Sequence, residues 1–279
     1  MFINKNVQMY YRETTELMSL SDHYHNYYEM IYVKAGACEF QIDKKIYQIS
    51  KPTLVFINHL ETHSMRVNQV PYCTYYLLIK NDMLNTLLQE PLLSAIFKYR
   101  PQNFTHIIEV TDNDELINKI MDNMFKEYTS NDPLSPLAFK SLIQYLFVNI
   151  YRTYPEHFLT KLKTQIYHTV LDVQEYIDKN YTEDIGLEKI AELFFISPSY
   201  LSRSFKEITG YNLKEYIVLQ RLSKAKELLL YSRDTINEIC EKAGFNNVNH
   251  FIRTFKEHYR ITPYEFRISE SRESKYKKR

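Results

Sequence analysis

The 279-residue chain has no run approaching the roughly 18 consecutive apolar residues of a membrane-spanning helix. Its first residues lack the basic, apolar, then small-residue order of a secretory leader, so the cytoplasm is the expected location and no membrane contact is expected. Cysteine is scarce: Cys38, Cys73 and Cys240 are scattered, odd in number and without a CxxC pair. That argues against a disulfide framework and a zinc finger. Cys240 falls in an apolar helical pattern and reads as a core residue. A glycine-rich phosphate loop, a Walker pattern and a nucleophile–base pairing are all missing, which leaves catalysis without a legible machinery. A large net charge is missing too. At +1, bulk charge speaks neither for nor against nucleic acid.

What is present is unevenly spread. Residues 1–160 hold 14 Lys/Arg against 17 Asp/Glu, whereas residues 161–279 hold 21 against 17. The basic surface therefore belongs to the C-terminal half. The length suffices for two domains with proper cores.

From about residue 7 to 80 the text is strand-like. MIYVKAGACEFQIDKKIYQIS, TLVFINH and YCTYYLLIK are rich in Ile, Val, Tyr and Phe, with turn signals at Ala35-Gly36, Asp43-Lys44 and Lys51-Pro52. Short strands without intervening helices predict an antiparallel barrel or sandwich. Within it, HYHNYYE places His23 and His25 on one face of an extended segment. With Glu29, Gly36 and His63 the spacing resembles the cupin barrel's His-x-His-x3-Glu-x6-Gly and later His. Two readings follow. His23, His25, Glu29 and His63 could converge on one divalent metal, or with Tyr27 they could line a pocket for a small organic effector. Shared fold does not carry shared site chemistry, so the effector reading is the expectation, with no metal and no cofactor assigned. Tyr27, Tyr32, Phe40 and Tyr47 would suit a sugar or aromatic ligand, and core packing fits them equally well.

Residues 82–100 predict a helix broken at Pro91. IIEV at 107–110 follows as a short strand, then a helix near 113–128 and a long apolar helix over 134–152. The wide stripe of that last helix either covers the barrel or forms a dimer seam. The stretch 154–164 is the linker candidate.

The C-terminal text is all helical. Helices are predicted over 167–179, 187–194, 197–209 and 213–230. A capping box at Thr235-x-x-Glu238 then starts INEICEKA, and a second short helix runs over 247–260. Tyr264–Ile268 reads as a last turn before a disordered basic tail, SRESKYKKR. Ser197-Pro198 is a strong helix start and Gly210 a left-handed stop. Tyr200, Leu201 and Phe205 line an inward face, leaving Ser199, Ser202, Arg203 and Lys206 outward. NVNHFIRTFKEHYR repeats this fifty residues on: Leu201 to Phe251, Arg203 to Arg253, Phe205 to Phe255, Lys206 to Lys256. A short helix that closes a helical pair and carries arginine outward suits a major groove.

IAELFFISPSYLSRSFKEITG, EYIVLQRLSKAKELL and INEICEKAGFNNVNHFIRTFKEHYRITPYEFR resemble the tandem helix-turn-helix domain of the AraC/XylS family of bacterial transcription regulators. The likeness covers residues 168–268, and residues 1–110 are similar to that family's cupin-like sensing domain. It implies an α+β multidomain chain: a cupin-like antiparallel β-barrel over 1–112, a helical dimerisation and linker region over 113–160, and an all-α tandem helix-turn-helix domain over 161–279. The implied partners are double-stranded DNA in successive major grooves, a small-molecule effector, a second copy in a homodimer, and RNA polymerase. The implied DNA-binding residues are Ser197, Ser199, Tyr200, Ser202, Arg203 and Lys206 in the first unit. In the second they are Asn247, Val248, Asn249, His250, Arg253, Thr254 and Lys256. The chain departs from the family at Gly186 (a hydroxyl cap elsewhere), Arg260 (opposite Gly210) and Val248, which could touch a thymine methyl. The first helix is expected to be the more conventional reader, and the second to contribute a larger share of shape and phosphate contact. Two rivals stand beside this reading: a metal-dependent cupin-type enzyme fused to a DNA-binding module, and tandem helices that grip protein.

Overall fold

A computed structural model describes residues 6–23, 25–101, 104–110, 114–158 and 165–276, with side chains to 269. The chain divides into two units, Met1–Thr164 and Gln165–Arg279.

The first unit is built on one antiparallel sheet. Its strands are β1 (Val7–Thr14), β2 (Ser19–His23), β3 (Tyr27–Ile42), β4 (Lys45–Ile49), β5 (Thr53–Ile57), β6 (His63–Lys80) and β7 (Ile107–Glu109). The order is β1-β6-β3-β5-β7, with β2 paired to β6 and β4 to β3. The two long strands form the spine. The early half of β3 pairs with β5 and its late half with β4, while the early half of β6 pairs with β2 and its late half with β1. The expected antiparallel architecture is thus a single ladder turned on itself.

The turn is made at a bulge between Val33 and Cys38, where the β3–β6 register shifts. Gly36 sits there at φ +87, and a Cβ on it would lie 2.6 Å from the Pro71 carbonyl oxygen. Only glycine meets both demands. The bulge also changes which residues face inward. Ile31 and Val33 before it, and Cys38, Phe40 and Ile42 after it, share one cluster with Met65 and Val67. Tyr28, Met30 and Tyr32 point to the other face, into a second core. Without the shift, period-2 alternation would send the late half of β3 to the wrong side.

Helices cover that second face: α1 (Leu84–Leu88), α2 (Pro91–Lys98), α3 (Asp114–Thr129) and α4 (Ser135–Thr153). Pro91 begins α2, as a ring without N–H can do only in the first turn. Phe139, Ile143, Leu146, Phe147 and Ile150 of α4 join the sheet's core. Leu134, Leu137 and Tyr145 remain exposed. Tyr32 is buried here and donates to Asn118 Oδ1 at 3.2 Å, so it belongs to the helix-facing core and not to the sheet's interior.

Among the described residues the second unit has seven helices: α5 (Gln165–Asn180), α6 (Leu187–Leu193), α7 (Pro198–Thr209), α8 (Leu213–Tyr231), α9 (Ile236–Lys242), α10 (Val248–Tyr259) and α11 (Pro263–Tyr276). Both residues of the Thr235/Glu238 capping box make their bonds. The long α8 opens with a box of its own at Asn212 and Glu215. It also reaches back: Arg221 donates to the carbonyl oxygens of Tyr181 at 2.6 Å and Glu183 at 2.8 Å. The tail departs from expectation. Helix α11 continues to Tyr276, started by reciprocal bonds between Thr262 and Glu265. Residues 271–276 of the expected disordered tail are therefore helical, and 277–279 lie outside the described residues.

Candidate functional site

Two short helices, α7 and α10, each close a helical pair, and each has twelve residues. Ser197 caps α7 by accepting from the Tyr200 N–H at 3.4 Å, and Asn247 caps α10 by accepting from the His250 N–H at 2.9 Å. Ser197 and Asn247 are thus helix caps; whatever else they touch, their side-chain oxygens already satisfy a backbone donor. Both helices stop on a left-handed residue whose N–H returns to a lysine carbonyl: Gly210 (φ +81) to Lys206, and Arg260 (φ +67) to Lys256. The apolar positions then fall on one side. Leu201, Ser204, Phe205, Ile208 and Thr209 of α7 are buried, as are Phe251 and Phe255 of α10. Exposed in the first helix are Ser199, Arg203, Lys206, Glu207 and also Tyr200, which the spacing places inward; in the second they are Asn249, His250, Arg253, Lys256 and Glu257.

Three of the predicted contact residues are less free. Ser202 and Thr254 are half-buried. Val248 is half-buried as well and packs on the C-terminal core, so much of its methyl surface already has a partner. Among the described residues neither arginine is fixed by a strong ion pair. Arg203 lies 5.6 Å from the Tyr200 ring centroid, and Arg253 is 3.9 Å from Glu257 with both side chains 70% exposed. Such contacts are worth little in water and yield readily to a phosphate or base edge.

The turns before these helices differ. In the second unit Gly244 takes φ +84, and a Cβ there would lie 2.6 Å from the Thr182 Cα. At the matching place in the first unit stands Phe195, at φ +54 and 98% exposed. A bulky side chain in the left-handed region is strained.

The second site lies inside the N-terminal sheet. Glu29 shares its strand face with Ile31 and Val33, and His63 shares its own with Met65 and Val67, so both point to the interior. His23 pairs directly with His63 across β2 and β6. The result is a tight group. Glu29 Oε2 lies 3.1 Å from His25 Nε2 and 3.2 Å from His63 Nε2. The His23 and His63 rings are 4.3 Å apart, and Tyr27 lies beside His25 at 5.7 Å. The structure therefore brings together His23, His25, Tyr27, Glu29 and His63, but not the other aromatic candidates Tyr32, Phe40 and Tyr47.

Their electrostatics are coupled. Burial opposes ionisation of Glu29, but hydrogen bonds and charge from His25 and His63 hold its carboxyl well below the usual range. Burial, with His63 beside it, lowers His23 to about 4, so that ring is neutral at pH 7. Burial also works against a charged His63, but the Glu29 carboxylate outweighs it and raises the ring.

One neighbouring cluster was not legible in the sequence. Buried Glu61 accepts from Arg100 Nε at 2.6 Å and from the Asn58 N–H at 2.6 Å, with His106 Nε2 at 3.1 Å. Tyr47, considered above as a ligand-facing aromatic, bonds His106 Nδ1 at 2.7 Å and so buttresses this cluster. Phe40 is buried in the interior core. Arg100 ends the predicted 82–100 helix and His106 stands just before the predicted 107–110 strand, and nothing local marks them as Glu61's partners.

Two family models match the chain: a helix-turn-helix domain over residues 190–269 and an AraC-like ligand binding domain over residues 7–147. The bifunctional transcriptional activator/DNA repair enzyme AdaA of Bacillus subtilis is 38% identical over 104 residues, 37% of this chain and 49% of AdaA. An HTH-type transcriptional regulator of Staphylococcus aureus is 23% identical over 85% of this chain and 31% of that protein. The chain thus spans at most about half the length of these relatives. Among solved structures, ToxT from Vibrio cholerae matches with a TM-score of 0.59, covering 94% of this chain and 98% of ToxT at 15% identity, which is a likeness of fold. ToxT has also been solved with an unsaturated fatty acid bound, and that structure matches with a TM-score of 0.56.

Proposed function

The chain belongs to the AraC/XylS family of transcriptional regulators, and from that premise we propose a sequence-specific DNA-binding regulator controlled by a small-molecule effector. The observation that carries the DNA half is the repeat in space. Helices α7 and α10 have equal length and equivalent caps, and each presents one exposed arginine at the same position. Arg203 and Arg253 would fork onto guanine O6 and N7, and Asn249 would pair with adenine, each contributing ~1–3 kcal/mol of discrimination. Ser199, Tyr200, Ser202 and His250 would add nearby contacts. Lys206, Lys256, Thr254 and the two helix N-termini capped by Ser197 and Asn247 would hold phosphates and make affinity salt-dependent. Val248, already packed on the core, would offer at most an edge to a thymine methyl.

For the sensing half, the interior group of His23, His25, Tyr27, Glu29 and His63 is the proposed effector site. Polar side chains, two of them buried and three half-buried, gathered against an apolar core are what orients a small ligand. The match to an AraC-like ligand binding domain supports a small-molecule site in this unit, and the fatty acid solved with ToxT is not passed to this chain. Effector binding would shift the population between arrangements of the two units, changing which half-sites are held together. The same proposal includes a homodimer through the exposed Leu137–Tyr145 side of α4, contact with RNA polymerase at the promoter, and a cytoplasmic location. No helix among the described residues is long and apolar enough to cross a membrane.

We take the chain to be a regulator and not an enzyme. AdaA's name joins activation to DNA repair, but the match covers only 49% of AdaA, so its second activity does not transfer. Thermal-shift screening of metabolites tests the effector reading, because a ligand that binds only the folded state raises its melting temperature. A mobility shift with Arg203→Ala, Arg253→Ala separates DNA from protein as the partner: unchanged promoter affinity would mean the helices grip protein.

A further inference from the structure

We propose that Phe195, with Leu193 and the acidic residues of α6 behind it, is a docking knob that seats in an apolar pocket edged by lysine or arginine on RNA polymerase. This rests on the regulator reading above and names the surface through which one partner of that reading is engaged. Helix α6 ends in a paired closure. The Phe195 N–H returns to the Glu192 carbonyl oxygen at 3.2 Å, and the Ile196 N–H to the Ala191 carbonyl oxygen at 2.9 Å. Helix α9 ends the same way, with the Gly244 N–H on Glu241 and the Phe245 N–H on Cys240, both at 2.9 Å. In this closure one residue takes the left-handed region, which glycine enters without penalty. The second unit places Gly244 there at φ +84, whereas the first places a phenylalanine at φ +54.

Among the described residues nothing offsets that strain. At 98% exposure the Phe195 ring adds no packing to the core, and Leu193, two residues before it, is 50% exposed. The neighbouring Phe194, by contrast, is half-buried and meets the Tyr176 ring at 5.9 Å. Backbone strain joined to a bare aromatic side chain points to a use outside the fold. The charges beside it decide the kind of partner. Residues 183–195 expose four acids, Glu183, Asp184, Glu188 and Glu192, against one lysine, Lys189. The matching stretch 232–244 has three acids, Asp234, Glu238 and Glu241, against two bases, Arg233 and Lys242. Glu188 and Glu192 lie one turn apart on one stripe of α6. Acids repel phosphate, so the ring is no wedge between base steps, a role that calls for cations to hold the backbone beside it. They suit a protein with a basic rim, where a buried aromatic anchor supplies much of the affinity and opposite charge guides the encounter.

Fluorescence anisotropy of the full chain on its promoter fragment, titrated with RNA polymerase purified from the same organism, tests the knob. The variants are Phe195→Gly, and Glu188→Gln with Glu192→Gln. Phe195→Gly relieves the strain as it removes the ring, so a loss of polymerase binding in it is not a loss of fold. The expected result is unchanged promoter affinity in both, and polymerase affinity roughly tenfold weaker in Phe195→Gly. The glutamine variant should lose severalfold, with a flatter salt dependence. Polymerase affinity unchanged in Phe195→Gly, or a native complex that binds no polymerase, would overturn the proposal. So would promoter affinity that falls with the ring, which makes Phe195 a DNA contact. A free chain whose mass in light scattering halves in Phe195→Gly would seat the knob on a second copy and overturn it too. A native chain without specific promoter binding sinks the regulator reading instead, and polymerase binding to the free chain then judges the knob by itself.

Discussion

Arg260 holds a left-handed backbone that its counterpart Gly210 adopts without penalty. A side chain there costs ~1 kcal/mol, so Arg260→Gly should raise the urea midpoint of the C-terminal unit, and Phe195→Gly should do the same. Gly244→Ala should act in the opposite sense and more strongly. Its Cβ would meet the Thr182 Cα at 2.6 Å, where only backbone can give way. A larger effect is expected in the N-terminal unit. Arg100→Leu would leave Glu61 buried beside neutral partners, and breaking a buried pair from one side typically costs 3–5 kcal/mol. Denaturant unfolding of the variant checks it; a loss under 1 kcal/mol would mean Glu61 simply takes up a proton. The Gly210 stop and the Ser197 cap were legible because each rests on local chemistry. The Glu61–Arg100–His106 cluster was not, since it joins residues 39 and 45 positions apart.

At the scale of elements, helices with caps and periodic apolar faces were read nearly to the residue. Helix α11 was the exception. Thr262-x-x-Glu265 is a capping box as plain as Thr235-x-x-Glu238, but the charged text after Ile268 looked too polar to order. Its helix opens on the box and packs Phe266 on the C-terminal core, and the charged residues continue it from there. In the sheet, strand-like text was evident, whereas the inward face was not, because the bulge around Gly36 changes the side on which β3's residues point. The five interior site residues lie outside that bulge, and it is the likeness to the cupin motif that groups them in the sequence. Helix α4 answers its two alternatives in part: one face covers the sheet, and Leu134, Leu137 and Tyr145 stay exposed. If that remainder is the dimer seam, Leu137→Glu with Tyr145→Glu should halve the mass seen by light scattering without lowering the melting temperature. An unchanged mass would place the contact elsewhere.

As a whole molecule, the proposed regulator joins a ligand-holding sheet to two DNA-reading helices, and only their coupling makes it regulate. Coupling is reciprocal: an effector that tightens promoter binding must itself bind more tightly when the promoter is present. The DNA half is the more exposed to test. Affinity for the neighbouring promoter should be measured by mobility shift across 50–200 mM salt, for the native chain and for Arg203→Ala with Arg253→Ala. The account predicts specific binding that weakens steeply with salt and a loss of at least tenfold in the double variant, largest at the guanines read. Absence of specific binding at low salt, or a double variant that binds like the native chain, would contradict it.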